Sequence, residues 1–379
     1  MAEKKPRLYF IDNIRIVLII GVVLVHLAVT YGAPGTWYYH EETETDLITL
    51  IVYAPLGAIG QSLMGFFFLI SAYFIPGSYD RKGPRKYFKD RLFSLGLPLL
   101  FYVVIFDPLI VYLLRITLED FRGSLGEFLS QFIQNYSSLG VGPLWFIEAL
   151  LIFTLFYVLI RSVSKPVANN PDSKMPTNLI VACFALLLGV ATFLLRIWLP
   201  AGWILVPLGL PISSFPQYTS LFVLGTMAYY RNWFLGISDS MGKVWLWVSV
   251  VLIFVVFPIL FILGGVMDGN TDPFMGGLHW QSFAFSIWEQ FVCFGLVITS
   301  LVWFRQRFNY QGSLTQIMSS NAYMVYLIHA PILVIVSLTF RGVDIHPLLK
   351  FLIFSPVNIA ICFIASHYFR KLPLVNKIF

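Results

Sequence analysis

Long apolar segments recur along the whole chain, and they restrict the fold more than any motif does. A helix that crosses a bilayer needs about 20 mostly apolar residues. With 58% hydrophobic and 12% charged residues, the chain has more apolar surface than one soluble core can bury. The sequence therefore predicts an all-α, polytopic integral membrane protein with about ten transmembrane helices, and residues 1–379 form a single membrane domain. The predicted segments are 14–32, 47–76, 92–116, 143–162, 178–199, 213–232, 243–266, 278–304, 320–341 and 346–370.

The basic residues indicate the orientation of these helices. Ten crossings place both termini on one side, and cytoplasmic loops carry an excess of Lys and Arg. If both termini are cytoplasmic, 20 of the 25 Lys and Arg residues lie on the inner side. We therefore predict a multi-pass protein of the plasma or inner membrane with cytoplasmic termini and the lipid bilayer as its surroundings. The net charge of +6 follows from this asymmetry, and no nucleic-acid partner is expected.

The cysteine positions and the start of the first helix argue against three features: a metal site, a disulfide framework and a cleaved signal peptide. Cys183, Cys293 and Cys362 lie inside predicted helices without a short spacing, so we expect neither a metal site nor a disulfide framework. Asp12 and Arg15 interrupt the start of the first apolar segment, and nine further segments follow it. This pattern is typical of a retained helix, not of a cleaved signal peptide.

The first helix carries an acid, a base and an imidazole. From Arg15 to His26 an α-helix makes about three turns, so the two side chains share one face, roughly 16 Å apart, and Asp12 lies on the same stripe. Ionisable residues inside a membrane segment usually mark a pathway or a site. The alternative is that Asp12 and Arg15 pair at the membrane surface while His26 is a buried, hydrogen-bonded histidine.

The segment after the second helix, residues 81–91, is the most basic part of the chain and contains Lys89 and Arg91. It can anchor the protein to anionic lipid, at about 1 kcal/mol per basic residue near the surface. It can also bind an anionic cytosolic donor, because Arg and Lys bind phosphates. The residues alone favour the anchor.

Glu148, Glu289 and His329 are further candidate site residues, because each is ionisable and lies within a predicted helix. Glu148 follows Trp145 by three residues near the outer end of the fourth helix, and Glu289 lies deep in the eighth. His329 is close to Pro331, which should kink the ninth helix and free backbone groups that the imidazole could bind. Buried carboxylates are uncommon without a partner or an aqueous cavity.

Four stretches of the chain form a set: Tyr9–Arg15 with His26 after it, Gly65–Phe74, Gly142–Leu150 and Asn321–Pro331. Together, and in this order, they resemble the acyltransferase 3 family of integral-membrane acyltransferases. The stretch Tyr9–Arg15 also resembles the family's glucan biosynthesis protein C branch.

The resemblance implies that Arg15 and His26 are the family's arginine and histidine pair, with His26 catalytic. It also implies acyl-CoA as a cytosolic donor substrate, no tightly bound cofactor, and a carbohydrate or envelope-glycan hydroxyl as the acceptor on the outer side. Many members carry an arginine where Ser94 stands here, which weakens the donor assignment of Arg91. The residues expected to bind substrates are Asp12, Arg15, Lys89, Arg91, Trp145, Asn321, Tyr323 and His329.

We expect O-acyl transfer, of an acetyl or succinyl group, by general-base catalysis. His26 would take the proton of the acceptor hydroxyl, and Glu148 or Glu289 would orient the imidazole or the acceptor. A covalent acyl-histidine is the second mechanism. Two other classes compete: a proton-coupled secondary transporter, which buried Glu and His would suit, and a scaffold subunit that does not need His26.

Overall fold

The computed structural model describes residues 7–41, 46–134, 140–164, 170, 173–206, 208–266, 269–373 and 375. Over these residues the secondary structure is helical and contains no strand, which confirms the predicted all-α class. The helices are α1 (Tyr9–Thr30), α2 (Leu47–Tyr73), α3 (Ile75–Lys82), α4 (Pro84–Arg91), α5 (Leu97–Phe101), α6 (Asp107–Leu118), α7 (Leu125–Gln134), α8 (Trp145–Val163), α9 (Asn178–Arg196), α10 (Phe215–Arg231), α11 (Trp233–Gly236), α12 (Asp239–Val251), α13 (Phe257–Leu263), α14 (Asp272–Met275), α15 (Trp280–Arg307), α16 (Ser313–Thr339) and α17 (Pro347–Phe369).

Nine helical stretches in the described part of the chain are long and apolar enough to cross a membrane. Two of these stretches join several helices: α2 continues through α3 to Lys82, and α4, α5 and α6 form one stretch over Pro84–Leu118. The predicted segment 213–232 corresponds to α10, which has 17 residues. The predicted polytopic membrane fold is therefore confirmed.

Three π-helical turns interrupt these long helices, and a proline follows each turn by two residues. Proline lacks an N–H group, and its ring clashes with the carbonyl one turn earlier in a regular α-helix. A wider turn relieves the clash without ending the helix. The turns are Leu92–Gly96, Tyr102–Phe106 and Leu252–Val256, and the prolines are Pro98, Pro108 and Pro258.

The start of α1 and the end of α17 lie at the same end of the helix bundle, which we call the termini face. At the start of α1, the Asn13 amide donates to the carbonyls of Phe308 (2.7 Å) and Tyr310 (2.9 Å), just after α15. At the end of α17, Arg370 donates to the carbonyl of Ser320 in α16 at 2.5 Å. An even number of crossings, such as the ten predicted segments that include α10, meets this condition.

Helices α2 and α10 pack closely because small residues face each other. A Cβ atom added at Gly225 would collide with the carbonyl oxygen of Leu69 and lie 2.8 Å from the Cβ of Ala72. Small residues allow this close backbone approach in a membrane, where dispersion contacts replace the hydrophobic effect. The α2–α10 contact therefore depends on the absence of a side chain at position 225.

Replacing this glycine tests the contact. We expect Gly225→Ala to lower the free energy of unfolding by about 1–3 kcal/mol, the usual cost of overpacking, measured as a decrease in Tm in detergent. Gly57→Ala is the matched control, because Gly57 also lies inside a helix but has no atom within 4 Å of an added Cβ. Equal Tm values for the two variants would contradict the close packing.

Candidate functional site

A cavity of about 390 Å³ extends from the termini face into the bundle between α1, α2, α8 and α16. Its mouth is polar and its deep end is aromatic. Ile19 lines the cavity one turn after Arg15, so the cavity follows the stripe of α1 that leads to His26. The polar and aromatic side chains at its wall include Arg15, Arg91, Ser94, Phe146, Tyr323 and Tyr326.

Two guanidinium groups face this cavity. Asp12 lies 3.2 Å from Arg15 and 2.9 Å from Arg7, so one carboxylate is shared by two arginines. Arg91 donates to the hydroxyl of Tyr87 at 3.1 Å and forms no ion pair with another described residue. The mouth therefore carries net positive charge, which suits an anionic ligand such as a phosphate.

The deep end of the cavity is closed by α16. Tyr323 donates to the carbonyl of Ser94 at 3.0 Å, so the serine that replaces the family's arginine contributes its backbone to the cavity wall. Tyr326 donates to the carbonyl of Pro143, and its ring lies 5.7 Å from the ring of His329. Tyr326 thus separates the cavity from the histidines by one ring.

His26, Trp37 and His329 form a cluster of three nearly parallel rings, which we call the ring triad. The ring centroids of His26 and Trp37 are 3.8 Å apart, those of His26 and His329 are 5.4 Å apart, and those of Trp37 and His329 are 5.9 Å apart. These spacings form a triangle, not a straight stack. The structure therefore brings together two predicted site residues and a tryptophan from the segment after α1.

A short polar contact positions the segment that carries Trp37. The hydroxyl of Tyr38 donates to the carboxylate of Asp107 and lies 3.1 Å from the hydroxyl of Tyr102. Burial, with a smaller contribution from Tyr102 and Asp107, raises the pKa of Tyr38 well above its usual value. The phenol therefore keeps its proton and remains a donor at physiological pH.

An ion pair fixes the other end of the same segment. The ammonium group of Lys350 in α17 binds the carboxylate of Glu41, and only 4% and 9% of the two side chains are exposed. The backbone N–H of Glu41 donates to the carbonyl of Thr30 at 2.8 Å. Both contacts hold the segment directly after Trp37, whose ring stacks on the imidazole of His26.

The two predicted carboxylates lie elsewhere. Glu289 forms a buried ion pair with Arg196, 2.9 Å apart, between α9 and α15. Glu148 shares one side of α8 with Trp145, whose ring stacks on Tyr218 at 5.4 Å, while the opposite side of α8 lines the cavity. No contact among the described residues joins either carboxylate to His26, and their proposed orienting role stays a prediction.

Two predicted substrate-binding residues lie at the edge of the site. Lys89 lines a separate, open groove of about 830 Å³, which shares Arg91 and Ser94 with the cavity. The Asn321 amide donates to the carbonyl of Ile317 at 2.8 Å, and its oxygen accepts from Arg370 at 3.3 Å. Asn321 therefore links α16 to α17 and does not line the cavity.

Sequence reasoning did not identify Trp37, Tyr38 or Tyr326 as site residues. The run of aromatic residues Trp37, Tyr38 and Tyr39, directly after a helix that contains His26, was the available signal. Arg196 as the partner of Glu289 was also missed, although both are ionisable residues in apolar helices, which usually pair. Among the described residues, no group of three His, Cys, Asp or Glu side chains could hold a metal ion.

Comparison with known proteins shows the family of the chain. A family model described as an acyltransferase domain, of the acyltransferase 3 type, matches residues 8–367. Glucans biosynthesis protein C of Escherichia coli K12 is 28% identical over 177 residues, which cover 45% of this chain and 43% of the relative. The protein of the same name from Escherichia coli O1:K1 / APEC has the same identity and coverage. The chain thus matches less than half the length of these relatives. No solved structure matches.

The ion pair that holds the Trp37 segment can be tested by single and double substitution. We expect Glu41→Gln to decrease the free energy of unfolding by about 3–5 kcal/mol, because it leaves the ammonium group of Lys350 buried and unpaired. The double variant Glu41→Gln/Lys350→Met removes both charges and should recover most of that loss. Thermal unfolding in detergent measures both values, and equal stability of the single and double variants would show that the pair is not buried as described.

Proposed function

Because the chain belongs to the acyltransferase 3 family and is a multi-pass membrane acyltransferase, we propose that it transfers an acetyl or succinyl group from cytosolic acyl-CoA to a hydroxyl of an extracytoplasmic carbohydrate or envelope glycan. In this proposal the protein lies in the plasma or inner membrane, and its termini face is cytoplasmic. One observation carries the proposal: a cationic cavity runs along α1 from Arg15 towards the ring triad.

The cavity suits the phosphorylated part of the donor. A CoA thioester carries phosphates at one end and its acyl group at the other, at the end of a flexible arm. The charged end would stay near Arg15 and Arg91, since phosphate cannot enter hydrocarbon. From Arg15 to His26 the distance along α1 is about 16 Å, so the arm would pass Tyr326 to bring the thioester to the imidazole.

The acceptor would approach from the opposite face, where the Trp37 segment lies. Aromatic rings beside hydrogen-bonding groups are typical of sites that bind sugars, and this segment presents Trp37, Tyr38 and Tyr39 in succession. The name glucans biosynthesis protein C, carried by the relatives from Escherichia coli, supports a glucan-type acceptor. The two substrates would then meet at His26 without transport of the donor.

The chemistry centres on His26. Its ring has no hydrogen-bond partner among the described residues and is held by stacking on Trp37. A free ring nitrogen can take the proton of the acceptor hydroxyl as a general base, or it can attack the thioester as a nucleophile. Both routes need an unprotonated imidazole.

Loss of the imidazole tests the proposal directly. We expect His26→Ala to reduce the release of CoA from labelled acetyl-CoA or succinyl-CoA by about 10²–10⁴-fold, the range typical of acid–base catalysis. His279→Ala is the matched control, because His279 is exposed at the start of α15. If His26→Ala kept wild-type turnover, the proposed chemistry would be wrong. Flux driven by a proton gradient without thioester turnover would indicate a transporter.

The cationic mouth of the cavity gives a second test. We expect Arg15→Ala and Arg91→Ala each to raise the KM for acyl-CoA about 10- to 100-fold, because a hydrogen bond to a charged group contributes about 1.5–3 kcal/mol. The kcat should change less. Arg85→Ala is the control, since Arg85 is an exposed arginine of α4 outside the cavity. If neither cavity substitution changed the KM, the basic segment would not bind the donor, and membrane anchoring would be its role.

A further inference from the structure

Two ring nitrogens of the ring triad have hydrogen-bonding capacity that no described residue uses. The Nδ1 atom of His329 lies 2.7 Å from the carbonyl oxygen of Tyr326. A carbonyl only accepts, so Nδ1 carries the hydrogen, and in the neutral ring Nε2 is an unprotonated acceptor. This Nε2 atom is buried and has no partner among the described residues. His329 therefore presents a base whose tautomer is set by the backbone.

Trp37 supplies the complementary group. Its Nε1–H can only donate, and this atom is also buried without a partner among the described residues. Leaving a buried donor or a buried acceptor unpaired is unfavourable, because the group has lost its hydrogen bonds to water. Two such atoms in adjacent rings, one of each kind, indicate a site for a ligand group that both accepts and donates.

A hydroxyl group is the simplest group with that property. Its oxygen can accept from the Nε1–H of Trp37 while its hydrogen is donated to Nε2 of His329. The two rings are adjacent and nearly parallel, with centroids 5.9 Å apart, and an oxygen about 2.9 Å from each of two nitrogens can bridge atoms up to about 5.8 Å apart. An ammonium group could not accept from Trp37, and a carboxylate could not donate to His329. The pair thus selects alcohols over charged ligands.

We propose that Trp37 and His329 form the acceptor-hydroxyl subsite, that His329 is the base that deprotonates this hydroxyl, and that His26 carries the acyl group as a covalent intermediate. This inference rests on the proposed acyl transfer. It assigns the roles of base and nucleophile to two different imidazoles, whose ring centroids are 5.4 Å apart. One hydroxyl has one hydrogen, and in this subsite that hydrogen goes to His329, which leaves the nucleophilic role to His26.

The two steps balance. In the first, the unprotonated nitrogen of His26 attacks the thioester carbon, the C–N bond forms, and the C–S bond breaks. The CoA thiolate takes the proton from the other nitrogen of the acyl-imidazolium. In the second, the hydroxyl oxygen attacks the acyl carbon while its proton moves to Nε2 of His329. The C–O bond forms, the C–N bond breaks, and the imidazole of His26 recovers a proton from His329.

Water is itself a hydroxyl compound, so the subsite can be tested without knowing the natural acceptor. The purified full chain is mixed with labelled acetyl-CoA or succinyl-CoA, and both the CoA released and the label bound to protein are followed with time. We expect His329→Asn, which cannot act as a base, to release about one CoA per protein and to retain the label. Its steady hydrolysis should fall at least 100-fold below that of the wild type. His26→Ala should show neither release nor label.

The tryptophan is tested by a substitution that keeps the stacked ring. We expect Trp37→Phe to slow loss of the label about tenfold while initial CoA release stays within twofold of the wild type. Trp233→Phe is the matched control, because Trp233 also has a buried indole N–H without a partner among the described residues but lies in α11. Its hydrolysis rate should equal that of the wild type.

The outcomes separate the inference from the function on which it rests. If the wild type releases no CoA from either thioester, the proposed donor is wrong. If the wild type turns over but His329→Asn does so at the same rate or never carries label, the division between His329 and His26 is wrong, while acyl transfer itself stands. If Trp37→Phe and Trp233→Phe behave alike, the indole N–H has no part in the subsite.

Discussion

The bilayer interior offers no water to polar groups, and the internal organisation of this protein follows from that constraint. Each buried polar side chain needs a partner within the bundle, because an unpaired one costs several kcal/mol in hydrocarbon. Hydroxyls on apolar helices bind the carbonyl one turn earlier, as Thr192 binds Leu188 at 2.8 Å. Arg196 and Glu289 bind each other where no solvent reaches either. The ring triad differs from single unpaired groups such as the indole N–H of Trp233, because an unpaired donor and an unpaired acceptor lie there in adjacent rings, which indicates a place that can bind a ligand group.

The same constraint explains why a connecting segment takes part in the site. The residues after α1 leave their helix but turn back onto the bundle, where a polar backbone must also be satisfied. Tyr38 binds Asp107 and Glu41 binds Lys350, and each partner comes from a different helix. These two contacts fix a segment that would otherwise be free to move. Stacking of Trp37 on His26 is the consequence, so the geometry of the His26 imidazole depends on helices distant in sequence.

The class of the protein could be predicted from sequence because apolar length alone decides it. The common stripe of Asp12, Arg15 and His26 followed from helical periodicity, which is local, although α1 begins at Tyr9 and not at residue 14. The partner of Glu289 could not be predicted, since it comes from another helix whose rotation and tilt are set by packing. The stacking of Trp37 on His26 could not be predicted either, because it depends on a connecting segment that two further helices hold. The π-helical turns were also missed, although a proline follows each of them, because a proline kinks, ends or widens a helix according to its neighbours.

Helix α8 begins deep inside the bundle, close to both the cationic cavity and the ring triad. Tyr326 lies thirteen residues after the start of α16, about 20 Å along the helix axis from the termini face. Its hydroxyl binds the carbonyl of Pro143, so the 3₁₀ turn Gly142–Leu144 before α8 lies deep inside the bundle. Backbone outside an α-helix is tolerated at such depth only where protein or an aqueous cavity surrounds it. Tyr326 joins this turn to the wall of the cationic cavity and to the ring of His329, where the proposed thioester arm would have to pass.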